Sequence, residues 1–529
     1  MMTKMTYRKK GGIGMRNMKK TGGIHSRTRS LCPVCLRPVE AFYVQEGDEV
    51  FFVKECPDHG SFRVLASECS ADYQAWVQHP VVNVAPKLAI TAGDPADRSC
   101  PLHCGTCDNH LQTACCVLID LTDRCDQHCP YCFARSERDA DKSGEPTLAR
   151  LEEKFRLLRR LGEERPFNLQ LSGGEPTVRD DLPEIIRLAR KEGFSYIQIN
   201  SNGRRLALED GYAQALKEAG ASVIFMQFDG TEDGIYQALR GEPLFEIKKK
   251  AIANCEQAGI PVTLVPTIVE GVNVDHIGAM MDFLVEHVNV VKGIHFQPVS
   301  FFGRHPQQAE GRRAQETSEQ AAGGKAPGPS RGTDGTEKGF CHETPENASG
   351  DFPGRITMFG LLRKLEQQRP DFRYEDFCPI STGHTLCCFY STYIREPDGS
   401  VRCTLTGARK EAGVGCCDAA APATEAQKQE TIRKDRDFVL NRWEILSPQE
   451  RDKARREQRK YRTSEEITSL DEFLRYYKSN TFTVTGMAFQ DLGNLDAERV
   501  KRCRVQVLSE DDRLIPFCAY NTIYRRRKR

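Results

Sequence analysis

Tryptophan is almost missing from this chain of 529 residues, which has two, and no apolar run approaches the length of a membrane-spanning helix. The basic start is followed by no apolar segment, so the pattern of a secretion signal is lacking as well. An excess of either charge is also missing: 75 Lys and Arg stand against 74 Asp and Glu, for a net charge of +1. There is thus no overall field to draw in nucleic acid, and none is expected as a partner. Only the ends are basic, residues 1–29 and the closing Arg525-Arg526-Arg527-Lys528-Arg529. They read as solvated tails, with contact to anionic lipid headgroups as the second option. The expectation is a cytoplasmic protein, touching a membrane at its periphery if at all.

Cysteine is abundant, with 22 in all, and twelve of them fall between Cys32 and Cys132. A reducing compartment keeps thiols unpaired and ready for metals, so this is not a disulfide framework. Residues 1–30 read as a disordered tail, and residues 31–114 as a metal-binding region. Cys32-Pro33-Val34-Cys35, a strand-like run from Glu49 to Lys54, and Cys56-Pro57-Asp58-His59-Gly60 make a small metal ribbon holding mononuclear iron or zinc. Its fourth ligand is open between His59 and Cys69, with Cys69 taken with Cys32, Cys35 and Cys56. Trp76, just beyond, reads as a core residue. Cys100, Cys104 and Cys107 with Cys115 then have the number and spacing for a closed four-thiolate iron–sulfur cluster. A second zinc knuckle is the plainer reading of the same residues.

Cys125, Cys129 and Cys132 differ in kind. Three cysteines spaced C-x3-C-x2-C in one loop suit a 4Fe–4S cluster with one iron left open to a ligand. From residue 115 to 305 strand-like segments alternate with amphipathic ones: 117–121, 167–171, 196–200, 223–228, 261–266 and 294–298. Six β-then-α units predict an α/β fold, a partial (β/α)6 TIM-like barrel with its site at the strand C-termini. The three-cysteine loop follows the first strand, Gly173-Gly174-Glu175 the second, Ser201-Asn202 the third and Asp229 the fourth. Gln198, Asn200, Gln227, His295 and Gln297 recur with period two at strand ends, as pocket-lining side chains would.

Residues 306–352 are polar and of low complexity, an insertion expected to be disordered. Residues 353–529 form a C-terminal α+β module containing Cys378, Cys387-Cys388, Cys403 and Cys416-Cys417. The charged tract from 425 to 468 reads as a solvated helix. Two strands around Asp511-Asp512 would bring Cys503 and Cys518 together, completing a third cluster with Cys378 and one of Cys387 or Cys388, taken as Cys388.

The cysteine loop followed by Leu171-Ser172-Gly173-Gly174-Glu175-Pro176 resembles the radical S-adenosylmethionine (SAM) enzymes. That resemblance implies that SAM binds the open iron and is cleaved to a 5′-deoxyadenosyl radical. It implies SAM contacts from Gly173, Gly174 and Glu175 to the amino group, Tyr131 or Phe133 near adenine, and Ser201, Asn202 or Asp229 at the ribose and beyond. The flanking cysteine motifs with the terminal Ile515-Pro516-Phe517-Cys518-Ala519-Tyr520-Asn521 resemble one group more narrowly. Its members are described as 7,8-dihydro-6-hydroxymethylpterin methyltransferases and archaeal tetraether lipid synthases. The resemblance implies auxiliary iron–sulfur clusters and an electron donor such as ferredoxin or flavodoxin. Carbon–carbon coupling on a lipid chain is the leading expectation and calls for a deep apolar channel. Methyl transfer to a pterin, the alternative, calls for a compact polar pocket. A zinc-ribbon binding module on an inactive barrel is the non-enzymatic alternative, and no residue is assigned to the chemical step itself.

Overall fold

A computed structural model describes residues 23–88, 100–105, 107–162, 167–306, 354–405 and 460–525, with isolated positions between 445 and 456. Both basic tails, nearly all of the 306–352 insertion, most of the charged tract and the Cys416-Cys417 pair lie outside the described residues.

The first unit is a four-stranded antiparallel meander of β1 (Ile24–Leu31), β2 (Pro38–Glu46), β3 (Glu49–Cys56) and β4 (Gly60–Ser67). In β3 the alternation is plain: Val50, Phe52, Lys54 and Cys56 point inward. A lysine at an inward position is costly unless it is bonded. Lys54 Nζ donates to Ser30 Oγ at 3.1 Å, Leu31 O at 2.9 Å and Leu492 O at 2.5 Å. Asp496 likewise accepts from Thr28 Oγ1 and Tyr43 OH, so the ribbon is seated on the 490–499 segment. Trp76 is buried, donates Nε1–H to Thr385 O at 2.7 Å and meets Phe359 edge-on, as a core residue.

The large sheet begins with β5 (Cys116–Asp120), β6 (Asn168–Ser172), β7 (Ile197–Ser201), β8 (Val223–Gln227), β9 (Val262–Val265), the short β10 (Thr267–Ile268) and β11 (Val291–Pro298). Strands β5, β6, β7, β8, β9 and β11 are parallel neighbours in that order, linked by helical crossovers. Helix Leu148–Leu161 shows why the crossovers form. Thr147 caps its first turn through Arg150 N, and Leu151, Phe155 and Leu158 bury one stripe against the sheet. Along the strands one set of alternate residues, such as Ile119, Leu169, Leu171, Ile197 and Ile199, joins the apolar core under the helices. The opposite set, such as Gln170, Gln198, Asn200, Gln227 and His295, lines a cavity.

The C-terminal region enlarges this sheet at both edges. It supplies β12 (Cys378–Pro379), β13 (Cys388–Arg395), β14 (Val401–Cys403), β15 (Thr481–Met487), β16 (Val505–Leu508) and β17 (Leu514–Pro516). β15 runs parallel to β11 and β16 parallel to β5, extending six parallel strands to eight. β13 and β17 then close the two edges in antiparallel fashion. The turn between β16 and β17 holds Asp512 at a φ of 63°. Among the described residues no helix is long and apolar enough to cross a membrane.

Candidate active site

The three-cysteine loop leaves the C-terminal end of β5 and is held from three sides. Arg304 donates Nε to Cys129 O at 2.9 Å and exchanges backbone hydrogen bonds with Cys132. Arg240 donates Nη1 to Tyr131 O at 2.9 Å. Asn202 donates Nδ2 to Asp126 Oδ1 at 2.6 Å. Cys125, Cys129 and Cys132 all line one cavity of about 480 Å³ at the barrel mouth, and burial raises the Cys125 and Cys129 thiols.

The Gly-Gly-Glu turn after β6 is zipped to the start of this loop. Gly174 N donates to Thr122 O at 2.7 Å and Glu175 N to Arg124 O at 2.9 Å. The contact is so close that only glycine fits. A Cβ on Gly173, whose φ is +124°, would lie 2.3 Å from Thr122 O, and one on Gly174 would lie 2.1 Å from Arg124 O.

Glu175 is buried, and its carboxylate accepts from Thr177 N and Oγ1, Ser201 Oγ and Asn202 N at 2.6–3.1 Å. Burial and the nearby Asp126 push it up to about 7 against those bonds. Three of these bonds fall on Oε1 and one on Oε2, so the side chain ties the β6 turn to the end of β7 while Oε2 keeps acceptor capacity at the cavity that Glu175 lines. Ser201 and Asn202 still line the cavity, as do Gly173, Gly174, Tyr131 and Phe133.

Asp229 requires a correction. It is fully buried, pairs with Arg240 through two bonds of 2.7 Å and accepts from Gln227 Nε2 and Thr267 N. It stands behind the cavity wall, and Arg240, which sequence reasoning missed, is the residue that reaches the wall. Lys248 was missed as well. It donates Nζ to Asn202 O at 2.5 Å and to Gln227 Oε1 at 3.2 Å, and burial lowers it to about 8 despite Asp229. Its only signal was a lysine on the apolar stripe of helix Phe245–Ala258, in line with Ala251, Ile252 and Cys255.

The barrel-facing wall is polar. Gln198 donates Nε2 to Asn200 Oδ1 at 2.7 Å, and Gln170, Gln227, His295 and Gln297 stand beside them. His295 Nδ1 lies 2.8 Å from Thr485 Oγ1, while that hydroxyl is 3.2 Å from Ile294 O and donates to it. With the hydroxyl proton on Ile294 O, His295 donates from Nδ1 and keeps Nε2 as an acceptor. Burial lowers this ring to about 4, which leaves it neutral. The outer wall is aromatic, with Phe133, Phe302 and Phe517 packed edge-on or tilted.

The ribbon places Cys32, Cys35, Cys56 and His59 with ligand atoms all within 4.8 Å of one another. His59 Nδ1 is 3.6 Å from Cys32 Sγ and 3.4 Å from Cys56 Sγ, and despite burial His59 helps bring the Cys56 thiol down to about 7. Cys69 is not the fourth ligand. The pairing of Cys56 with Gly60 starts β4 at the metal end, and β4 then carries the chain roughly 25 Å to the opposite end before Cys69.

Cys100 sits close enough to raise the Cys104 thiol, with burial adding to the effect, and burial together with Cys100 raises the Cys107 thiol. Cys115 does not join them. It lines the central cavity, where Arg504 donates Nε to its sulfur at 3.1 Å. Cys503 and Cys518 line a second cavity of about 30 Å³ with both Cys387 and Cys388. Arg499 donates Nε to Cys387 Sγ at 3.4 Å. Cys378 is the wrong fourth member, because its pairing with Tyr390 places it beside Leu405 and Cys403 instead.

The residues present fit an iron–sulfur group at the first loop: three thiols, one short segment, one cavity, and a buried amide nitrogen on Gln127 with no partner. Residues 119–284 match the radical SAM superfamily model, and residues 24–68 match the HMPTM N-terminal zinc ribbon domain. A 7,8-dihydro-6-hydroxymethylpterin dimethyltransferase of Methanocaldococcus jannaschii is 31% identical over 95% of this chain and 94% of its own. A probable GTP 3′,8-cyclase of Methanothermobacter thermautotrophicus is 32% identical over 34% of this chain and 56% of its own. Among solved structures, SuiB of Streptococcus suis bound to S-adenosylmethionine covers 40% of this chain and 49% of its own, at 14% identity and a TM-score of 0.30. With the three-cysteine loop, the parallel barrel and a relative matched nearly end to end, this chain belongs to the radical SAM superfamily, in the family of the 7,8-dihydro-6-hydroxymethylpterin dimethyltransferase.

Proposed function

We propose that this enzyme transfers a methyl or one-carbon unit from a second SAM or another one-carbon donor to a reduced pterin, with Cys125, Cys129 and Cys132 holding the 4Fe–4S cluster. When bound, that cluster and SAM supply a 5′-deoxyadenosyl radical. The observation that carries the pterin reading is the polar barrel wall. Apolar groups make up most of the cavity lining, but amides and a neutral histidine face it from the barrel side, and a lipid chain offers them no partner. Polar groups on a cavity wall take their partners from a ligand or from water. A pterin offers a flat ring for the aromatic outer wall and an edge of N–H and C=O groups for Gln198, Asn200, Gln297 and the acceptor Nε2 of His295. The near full-length relative carries a pterin dimethyltransferase name, which supports the same choice.

The remaining assignments belong to the same proposal. Gly173 and Gly174 bring backbone and Glu175 a carboxylate oxygen to the SAM amino group, Tyr131 and Phe133 flank its adenine, and Ser201 and Asn202 meet its ribose. Glu175, Asp229 and Lys248 hold those groups in position. Cys100, Cys104 and Cys107 hold one auxiliary centre, Cys387, Cys388, Cys503 and Cys518 another, and Cys32, Cys35, Cys56 and His59 a mononuclear metal. Electrons arrive from a small donor protein. The unit boundaries lie near residues 31, 115, 306 and 353, with the last unit completing the barrel sheet.

The test is anaerobic reconstitution followed by incubation with SAM, a reductant and either 6-hydroxymethyl-7,8-dihydropterin or archaeal diether lipid. The expected result is 5′-deoxyadenosine formation that rises with the pterin, together with a pterin heavier by one or two methyl units. Stimulation by the lipid alone would overturn the proposal.

A further inference from the structure

Gln127 stands inside the three-cysteine loop, two residues from Cys125 and two from Cys129. Its side chain is 2% exposed and lines the central cavity. Its backbone N–H donates to Cys125 Sγ at 3.4 Å. Its amide oxygen accepts from the Cys129 thiol, Sγ to Oε1 at 3.5 Å. Its amide nitrogen has no partner at all. A buried NH2 group without a partner is uncommon in folded proteins, and a water, an ion or a functional role is what accounts for one.

The protonation of Cys129 decides what this amide does. A cysteine bound to iron has lost its proton and only accepts. Facing Oε1, it would set two acceptors against each other at 3.5 Å. A terminal amide exchanges its oxygen and nitrogen by a half-turn that leaves its shape unchanged. That half-turn brings the unpartnered nitrogen onto the sulfur and removes the clash, with the amide oxygen taking the other position.

We propose that the Gln127 side chain donates an N–H···S hydrogen bond to the Cys129 thiolate and so sets the reduction potential of the cluster held by Cys125, Cys129 and Cys132. With its backbone N–H on Cys125, this one residue then donates to two of the three ligand sulfurs. A donor on a ligand sulfur withdraws negative charge from the iron core. It favours the reduced cluster, which carries one more electron, and raises the potential. The neighbouring cation contributes less than its charge suggests, because Arg240 is paired through two bonds with Asp229.

This inference rests on the cluster reading, and the experiment separates the two. The reconstituted full-length protein is titrated potentiometrically and followed by electron paramagnetic resonance, with the signal absent from Cys132→Ala assigned to this cluster. In Gln127→Leu that signal should remain, with unchanged iron per chain. Its one-electron reduction equilibrium should shift about tenfold towards the oxidised form, or about 59 mV more negative. Gln127→Asn, too short to reach the sulfur, should shift it in the same direction and serves if the leucine variant loses iron. A midpoint unchanged from wild type in the variants that hold the cluster would overturn the inference. Absence of any Cys132-dependent signal in the wild type would overturn the cluster reading and this inference with it.

Discussion

Asp229→Asn isolates how the barrel holds its cluster loop. The change keeps the shape of the side chain but leaves the Arg240 guanidinium, 8% exposed, without its counter-charge. Removing one member of a buried ion pair costs about 3–5 kcal/mol, because the remaining charge stays desolvated. Here the site also loses a charged acceptor for Thr267 N, and Arg240 loses the anchor that aims it at Tyr131 O. Such a cost raises the open population by between two and nearly four decades, at 1.36 kcal/mol per decade. Proteolysis of the transiently opened chain tracks that population when reclosing is fast. The cleavage rate of the reconstituted protein under mild protease should therefore rise at least a hundredfold. Asp229→Asn combined with Arg240→Met removes the buried charge as well and should recover most of the loss. A single variant as resistant as wild type would refute the reasoning, and so would a double variant no better than the single.

In the ribbon, His59→Ala should remove the metal from purified protein while Cys69→Ala leaves it, measured as metal per chain after the other centres are accounted for. Gly174→Ala should abolish 5′-deoxyadenosine formation, because its methyl group would lie 2.1 Å from Arg124 O and must push the turn off the cluster loop. His295 is held neutral, with its pKa lowered to about 4 by burial. Unfolding returns it to about 6.5, so the unfolded chain binds the proton first. Stability is thus full above pH 6.5 and falls as pH drops from 6.5 towards 4, by about 3 kcal/mol at the limit. Urea midpoints of wild type and His295→Gln between pH 8 and 4 should diverge over that window, with the variant losing less. Parallel curves would sink the assignment.

The sequence by itself determined the parallel barrel and the motifs at the ends of its strands. Apolar residues at period two inside strands and at helical spacing between them are local patterns, and they located six strands to within a few residues. The three-cysteine loop and the Gly-Gly turn were equally legible, because each ligand set lies within one short segment. Where a site is assembled from distant segments, the sequence had no means of choosing. Cys115 and Cys116 are neighbours in the chain, yet Arg504 claims the first; His59 and Cys69 both follow Cys56, and the run of a strand decides between them. Cys378 was a plausible partner for Cys503 until strand pairing set it beside Tyr390. Arg240 and Lys248 carried no motif, and only the burial of their charges beside Asp229 and Asn202 marks them. The use of the C-terminal region to extend both edges of one sheet was likewise tertiary: parallel strands from opposite ends of the chain pair through long-range contacts that no local period records.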